Sequence, residues 1–84
     1  GRVLITKLAP GKVITPHEDS GSHASYYDRY HCVLQGLPGS LFRCGEETVT
    51  MRTGEVWWFN NAIEHEVVNN SADDRIHLIV DIRC

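Results

Sequence analysis

His17, Asp19 and His65 are the residues whose types and spacing could assemble chemistry in this chain. In an extended segment residues i and i+2 project to the same side, so His17 and Asp19 converge on one point while Glu18 looks elsewhere. His65 lies 46 positions after Asp19, just beyond Trp57-Trp58-Phe59. Two imidazoles and one carboxylate on one face of a metal leave three coordination positions open, the arrangement that holds Fe(II) in non-haem oxygenases. An H-x-D pair alone is a weak signal, because a chain with five histidines offers chance matches. Glu18 would replace a ligand only if the loop turned.

Arg75 follows His65 by ten residues. A buried guanidinium needs an anion, and its planar fork suits a carboxylate. Two readings stand. Arg75 could pair with Asp73, Asp74 or Asp81, or it could grip the distal carboxylate of 2-oxoglutarate, whose keto-acid end chelates iron. H-x-D, a distant His and then an Arg is a more specific order than any single member.

These side chains need a framework of short strands to position them. Turn residues cut the chain into β-type runs at intervals of roughly 8–12 residues, the pattern of an all-β sandwich or barrel. The runs are Val3–Leu8, Lys12–Thr15 ended by Pro16, Tyr26–Leu34, Leu41–Cys44, Thr48–Arg52, Glu55–Phe59, Glu64–Asn69 and Arg75–Arg83. No window carries the apolar spacing of a helix. About eight strands predict a double-stranded β-helix, the cupin-like jelly roll in which two sheets close over a cavity. The polar loop 17–25 carries His23, expected to be solvated.

The last run alternates clearly: Ile76, Leu78, Val80 and Ile82 share one face, and Arg75, His77, Ile79 and Asp81 the other. Either the polar set is a solvated outer face, or it lines a cavity while the aliphatic set packs against another element. With no helix to supply that packing, the cover falls to a parent protein or an oligomer. His77 reads equally well as a cavity residue and as a hydrogen-bonded interior histidine. The rings of Trp57-Trp58-Phe59 divide between the core and a rim.

At 84 residues with 23% charged and 42% hydrophobic positions, the chain is one small domain, 1–84. Gly1 in place of an initial Met suggests a tag remnant or a minimal or truncated version of a longer domain. Eight basic against eleven acidic residues, net −3, argues against a nucleic-acid partner. No run is long enough to span a membrane and no signal-peptide pattern opens the chain. Cys32, Cys44 and Cys84, an odd set without C-x-x-C, argue against a disulfide framework or zinc ribbon. They point to a reducing, cytoplasmic setting.

Several stretches together resemble the catalytic core of the aspartyl/asparaginyl β-hydroxylase family of Fe(II)/2-oxoglutarate dioxygenases. They are Leu8-Ala9-Pro10-Gly11, Pro16-His17-Glu18-Asp19-Ser20-Gly21, Arg29-Tyr30-His31, Gly54-Glu55-Val56-Trp57-Trp58-Phe59-Asn60, Glu64-His65 and Arg75-Ile76-His77-Leu78. They span nearly the whole chain in the family's order. The resemblance implies that His17 and His65 bind the metal and that Arg75 pairs with the far carboxylate of 2-oxoglutarate. It also implies that Thr6 supplies an assisting hydroxyl, and that Arg29 and His31 contact the carboxylate beside the keto group. The animal enzyme that names the family lacks the carboxylate ligand. Asp19 therefore makes this chain look closer to bacterial or viral relatives with a complete triad.

The expected cofactor is Fe(II), with 2-oxoglutarate and O2 as co-substrates. The expected partner is a peptide, protein or small-molecule substrate, the family's usual target being an aspartyl or asparaginyl residue. Two rivals remain: a cupin metalloenzyme that does not use 2-oxoglutarate, and a non-catalytic module in which Arg29, His31 and Arg75 hold an anion.

Overall fold

A computed structural model describes residues 2–19 and 27–83. His23, Cys84, Tyr26 and most of the polar loop lie outside the described residues. Eight strands are present: β1 Arg2–Leu8, β2 Val13–His17, β3 Tyr27–Gln35, β4 Ser40–Cys44, β5 Glu47–Val49, β6 Val56–Trp58, β7 His65–Asn69 and β8 Arg75–Arg83. They form two four-stranded antiparallel sheets, ordered β1-β8-β3-β6 and β2-β7-β4-β5. This is the all-β jelly roll expected from the run spacing, and no helix occurs among the described residues.

Strand bounds differ from expectation where a local rule is overridden. Pro16 does not end β2; the strand continues to His17. Proline is tolerated on an edge strand or at a bulge, and β2 is both an edge and shifted in register between Ile14 and His17. A second register shift lies between Val33 and Gln35, which lets β3 run past Leu34. β5 is short because the chain leaves the sheet after Val49.

The two faces of β8 have opposite characters. Arg75, His77, Ile79 and Asp81 are buried, 5%, 0%, 8% and 2% exposed. The polar set therefore faces inward, between the sheets. Across the outer face, cross-strand register aligns two apolar rows: Val3, Val80, Tyr30 and Trp58, then Ile5, Leu78, Cys32 and Val56. Ile5 and Val56 are among the most exposed apolar residues of the chain. Among the described residues, nothing packs over these rows.

The hydrophobic core gathers Val33, Phe42, Met51 and Val67, with Leu8, Val49, Trp57 and Phe59 against it. Asn69, fully buried, clasps the β7–β8 turn and the end of β1. Its Nδ2 donates to the carbonyls of Leu8 (2.8 Å) and Asp73 (3.0 Å), and its Oδ1 accepts from Ser71. Leu8 and Asn69 belong to different sheets, so one amide joins the layers.

Candidate metal centre and anion cavity

Strand pairing places His17 directly opposite His65, on β2 and β7. Their rings lie 4.3 Å apart between centroids. Each ring is held through Nδ1–H, which donates to a carbonyl oxygen two residues earlier: Thr15 for His17 and Ile63 for His65, both at 2.8 Å. A carbonyl only accepts, so Nδ1 carries the proton and Nε2 keeps its lone pair. Such an anchor fixes the tautomer and aim of a metal-binding histidine.

Asp19 completes the group. Its carboxylate oxygens sit 3.6 Å from His17 Nε2 and 3.8 Å from His65 Nε2. The potential ligand atoms of His17, Asp19 and His65 all lie within 4.8 Å of one another. Two neutral nitrogens and one carboxylate oxygen form a donor set suited to a divalent metal, with one side left open for other ligands. Asp19 is fixed by its backbone N–H, which donates to the Asn61 carbonyl at 2.9 Å. The turn Asn60–Ile63 thus supplies the acceptors for both Asp19 and His65. The sequence marks that turn only as a strand end, and its Asn-Asn pair was the signal available.

The cluster opens into a cavity of about 180 Å³, room for roughly six waters at about 30 Å³ each. Thr6, Arg29, His31 and Arg75 line this cavity together with His17, Asp19 and His65. Every predicted site residue therefore reaches one space, two sheets contributing opposite walls. Glu18 is exposed and does not line it. Phe59 is an addition to the expected set: its ring packs against His31, Phe42 and His65 at 5.1, 4.6 and 5.0 Å. Alternation divided Trp57, Trp58 and Phe59 between core and rim without saying which ring went where; Phe59, just after β6, lines the cavity.

The aspartates weighed as partners of Arg75 make other contacts, Asp73 through its carboxylate with the Asp74 N–H. Asp81 receives Arg29 at 2.7 and 3.0 Å and Arg2 at 3.4 Å, and Asp74 pairs with Lys7 at 3.7 Å. Among the described residues no hydrogen bond or ion pair reaches Arg75. Burial alone pushes its guanidinium down to about 10. A buried cation without a counter-ion is costly, and an anionic occupant of the cavity would relieve that cost. The bland reading of Arg75 as one half of an internal ion pair is thereby overturned. Arg29, in contrast, is held above its ordinary value by its hydrogen bonds to Asp81.

His31 and His77 meet across the inner face of the β3–β8 pair, Nδ1 to Nδ1 at 3.0 Å. Burial, reinforced by the charge on Arg75, lowers His31 to about 4 and His77 to about 3. Both rings are neutral at physiological pH. His77 is thus an interior, hydrogen-bonded histidine behind the cavity wall.

The family model for aspartyl/asparaginyl β-hydroxylase matches residues 1–84. L-proline cis-3-hydroxylase 1 of a Streptomyces species is 29% identical over 80 residues, 92% of this chain and 28% of that protein. Human aspartyl/asparaginyl β-hydroxylase is 28% identical over 82 residues, 98% of this chain and 11% of that protein. The chain therefore spans under a third of the length of these relatives. The crystal structure of a predicted oxalate decarboxylase from Thermotoga maritima superposes with a TM-score of 0.73, covering 98% of this chain and 65% of that one at 22% identity. That likeness is one of fold. The match over its full length shows that this chain belongs to the aspartyl/asparaginyl β-hydroxylase family.

Proposed function

We propose that the chain is the core of an Fe(II)- and 2-oxoglutarate-dependent dioxygenase that hydroxylates an unactivated C–H bond. The substrate is an aspartyl or asparaginyl residue, or a related peptide or amino acid. One observation carries this reading: three metal-type donors and a buried, unpaired Arg75 share a single small cavity.

In this reading His17, Asp19 and His65 hold Fe(II). The residues suit the ion because both Nδ1–H groups are already spent on carbonyls, leaving two Nε2 lone pairs beside a carboxylate. Arg75 takes the distal carboxylate of 2-oxoglutarate, with the Thr6 hydroxyl on the neighbouring strand assisting. Arg29 and His31 face the carboxylate beside the keto group, Arg29 using donors not spent on Asp81. When bound, the iron supplies the oxidising chemistry, in which O2 and 2-oxoglutarate give succinate and CO2 and one oxygen atom passes to the substrate C–H bond. Phe42, Phe59, Val67 and Ile79 give the cavity an apolar lining beside its polar donors. Mn, Co, Ni or Zn would occupy the same donors in vitro.

Following succinate during incubation with Fe(II), ascorbate, 2-oxoglutarate and O2 tests the reading, because uncoupled turnover needs no prime substrate. Succinate should form only with both Fe(II) and 2-oxoglutarate, and Asp19→Ala should abolish it. Metal-dependent turnover of a small molecule without 2-oxoglutarate would identify the other cupin metalloenzyme class instead.

A further inference from the structure

We infer that His77 is a positioning residue: through its Nδ1 it sets the tautomer of His31, so that His31 presents an Nε2–H donor to the anion in the cavity. The inference rests on the cavity holding 2-oxoglutarate as proposed above, and it gives a task to a buried residue that the reading leaves idle.

The argument is one of proton counting. His77 is 0% exposed, and its Nδ1 lies 3.0 Å from Nδ1 of His31. Two imidazole nitrogens at that distance share one proton; two protons would clash and none would leave facing lone pairs. Each neutral ring carries a single N–H, and both rings are neutral because burial and Arg75 oppose their charging. Only two arrangements satisfy these conditions. Either His77 donates from Nδ1 and His31 carries its proton on Nε2, or His31 donates and its Nε2 is bare.

The other end of each ring decides between them. Nε2 of His31 and Nε2 of His77 are both buried and meet no hydrogen-bond partner. His31 lines the cavity alongside Arg29 and Arg75. An anion gathered by those guanidiniums accepts from an N–H and is repelled by a lone pair, so its arrival selects the arrangement in which His77 is the donor. His77 Nε2 is then bare, which the nearby charge of Arg75 favours over a protonated nitrogen. Leucine at position 77 would fill space without fixing the proton.

Nitrogen-15 histidine spectra of the Zn(II)-loaded protein with saturating 2-oxoglutarate test this, together with 2-oxoglutarate affinity by calorimetry. The expected result is His31 protonated on Nε2 and His77 on Nδ1. His77→Leu should weaken 2-oxoglutarate binding roughly tenfold and leave Zn(II) affinity unchanged. His77→Asn, whose amide still donates, should stay within about threefold of the wild type. His31 protonated on Nδ1 in the complex would overturn the inference, as would folded His77→Leu with wild-type affinity or His77→Asn as weak as His77→Leu. Each of those results leaves the functional reading intact. Wild-type protein that binds Zn(II) but not 2-oxoglutarate would overturn both.

Discussion

Burial treats the ionisable side chains inside the two sheets unequally. Asp81 is matched by Arg29 and Arg2, Arg75 is left without a partner, and His31 and His77 are held neutral. The two histidines make stability depend on pH with a definite sign. In the unfolded chain histidine takes a proton near its ordinary value of about 6.5, whereas the folded rings resist until about 4 for His31 and about 3 for His77. Below about pH 6.5 the unfolded state binds more protons, so stability is lost as pH falls, and the loss ends once the folded rings charge. The slope is up to about 1.4 kcal/mol per pH unit for each ring. Denaturant unfolding of the metal-free protein at pH 7 and pH 5 should show the loss, and His77→Asn should flatten it. Equal stability at the two pH values would contradict neutral burial. The sequence offered His77 as a cavity residue or as a hydrogen-bonded interior histidine, but not its pairing with His31, 46 residues away.

At the scale of elements, small polar turns do the positioning. The Asn60–Ile63 turn holds Asp19 and His65, and Asn69 ties the β7–β8 turn to the end of β1. Asn69→Ala would remove the amide donor from the Leu8 carbonyl and the acceptor from the Ser71 N–H, while the Asp73 carbonyl keeps the Ser71 hydroxyl. The expected loss is about 2–3 kcal/mol of unfolding free energy, readable as a lower denaturation midpoint; an unchanged midpoint would show that water replaces the amide. Most of the framework was readable, because turn residues and period-2 alternation report backbone geometry directly. Pro16 misled because its meaning depends on whether a strand is central or an edge, and that is settled by pairing with β7, far along the chain. The inward polar face of β8 was readable only as one of two alternatives. Alternation separates the faces without saying which one the other sheet covers.

For the molecule as a whole, one sheet departs from the usual pattern. Beside the hydrophobic core of Val33, Phe42, Met51 and Val67, the inner face of β8 buries Arg75, His77 and Asp81, while the outer face of the β1-β8-β3-β6 sheet carries two apolar rows. No helix among the described residues is long and apolar enough to cross a membrane. The described cysteines, Cys32 and Cys44, are free thiols. The clustering of His17, Asp19 and His65 was legible because metal chemistry restricts ligand types so severely, whereas Thr6, Arg29 and His31 were marked only by the family resemblance; the hydrogen bond from Asp19 to Asn61 was not legible, because a backbone carbonyl carries no sequence signal. The account requires that the anion cavity and the metal cluster work as one unit. Anaerobic calorimetric titration of 2-oxoglutarate, with and without Fe(II), measures that coupling. One molecule should bind per chain when Fe(II) is present, with binding much weaker in its absence, in Asp19→Ala and in Arg75→Ala. Equal affinity with and without the metal would contradict the oxygenase reading and leave a module that binds an anion through its arginines.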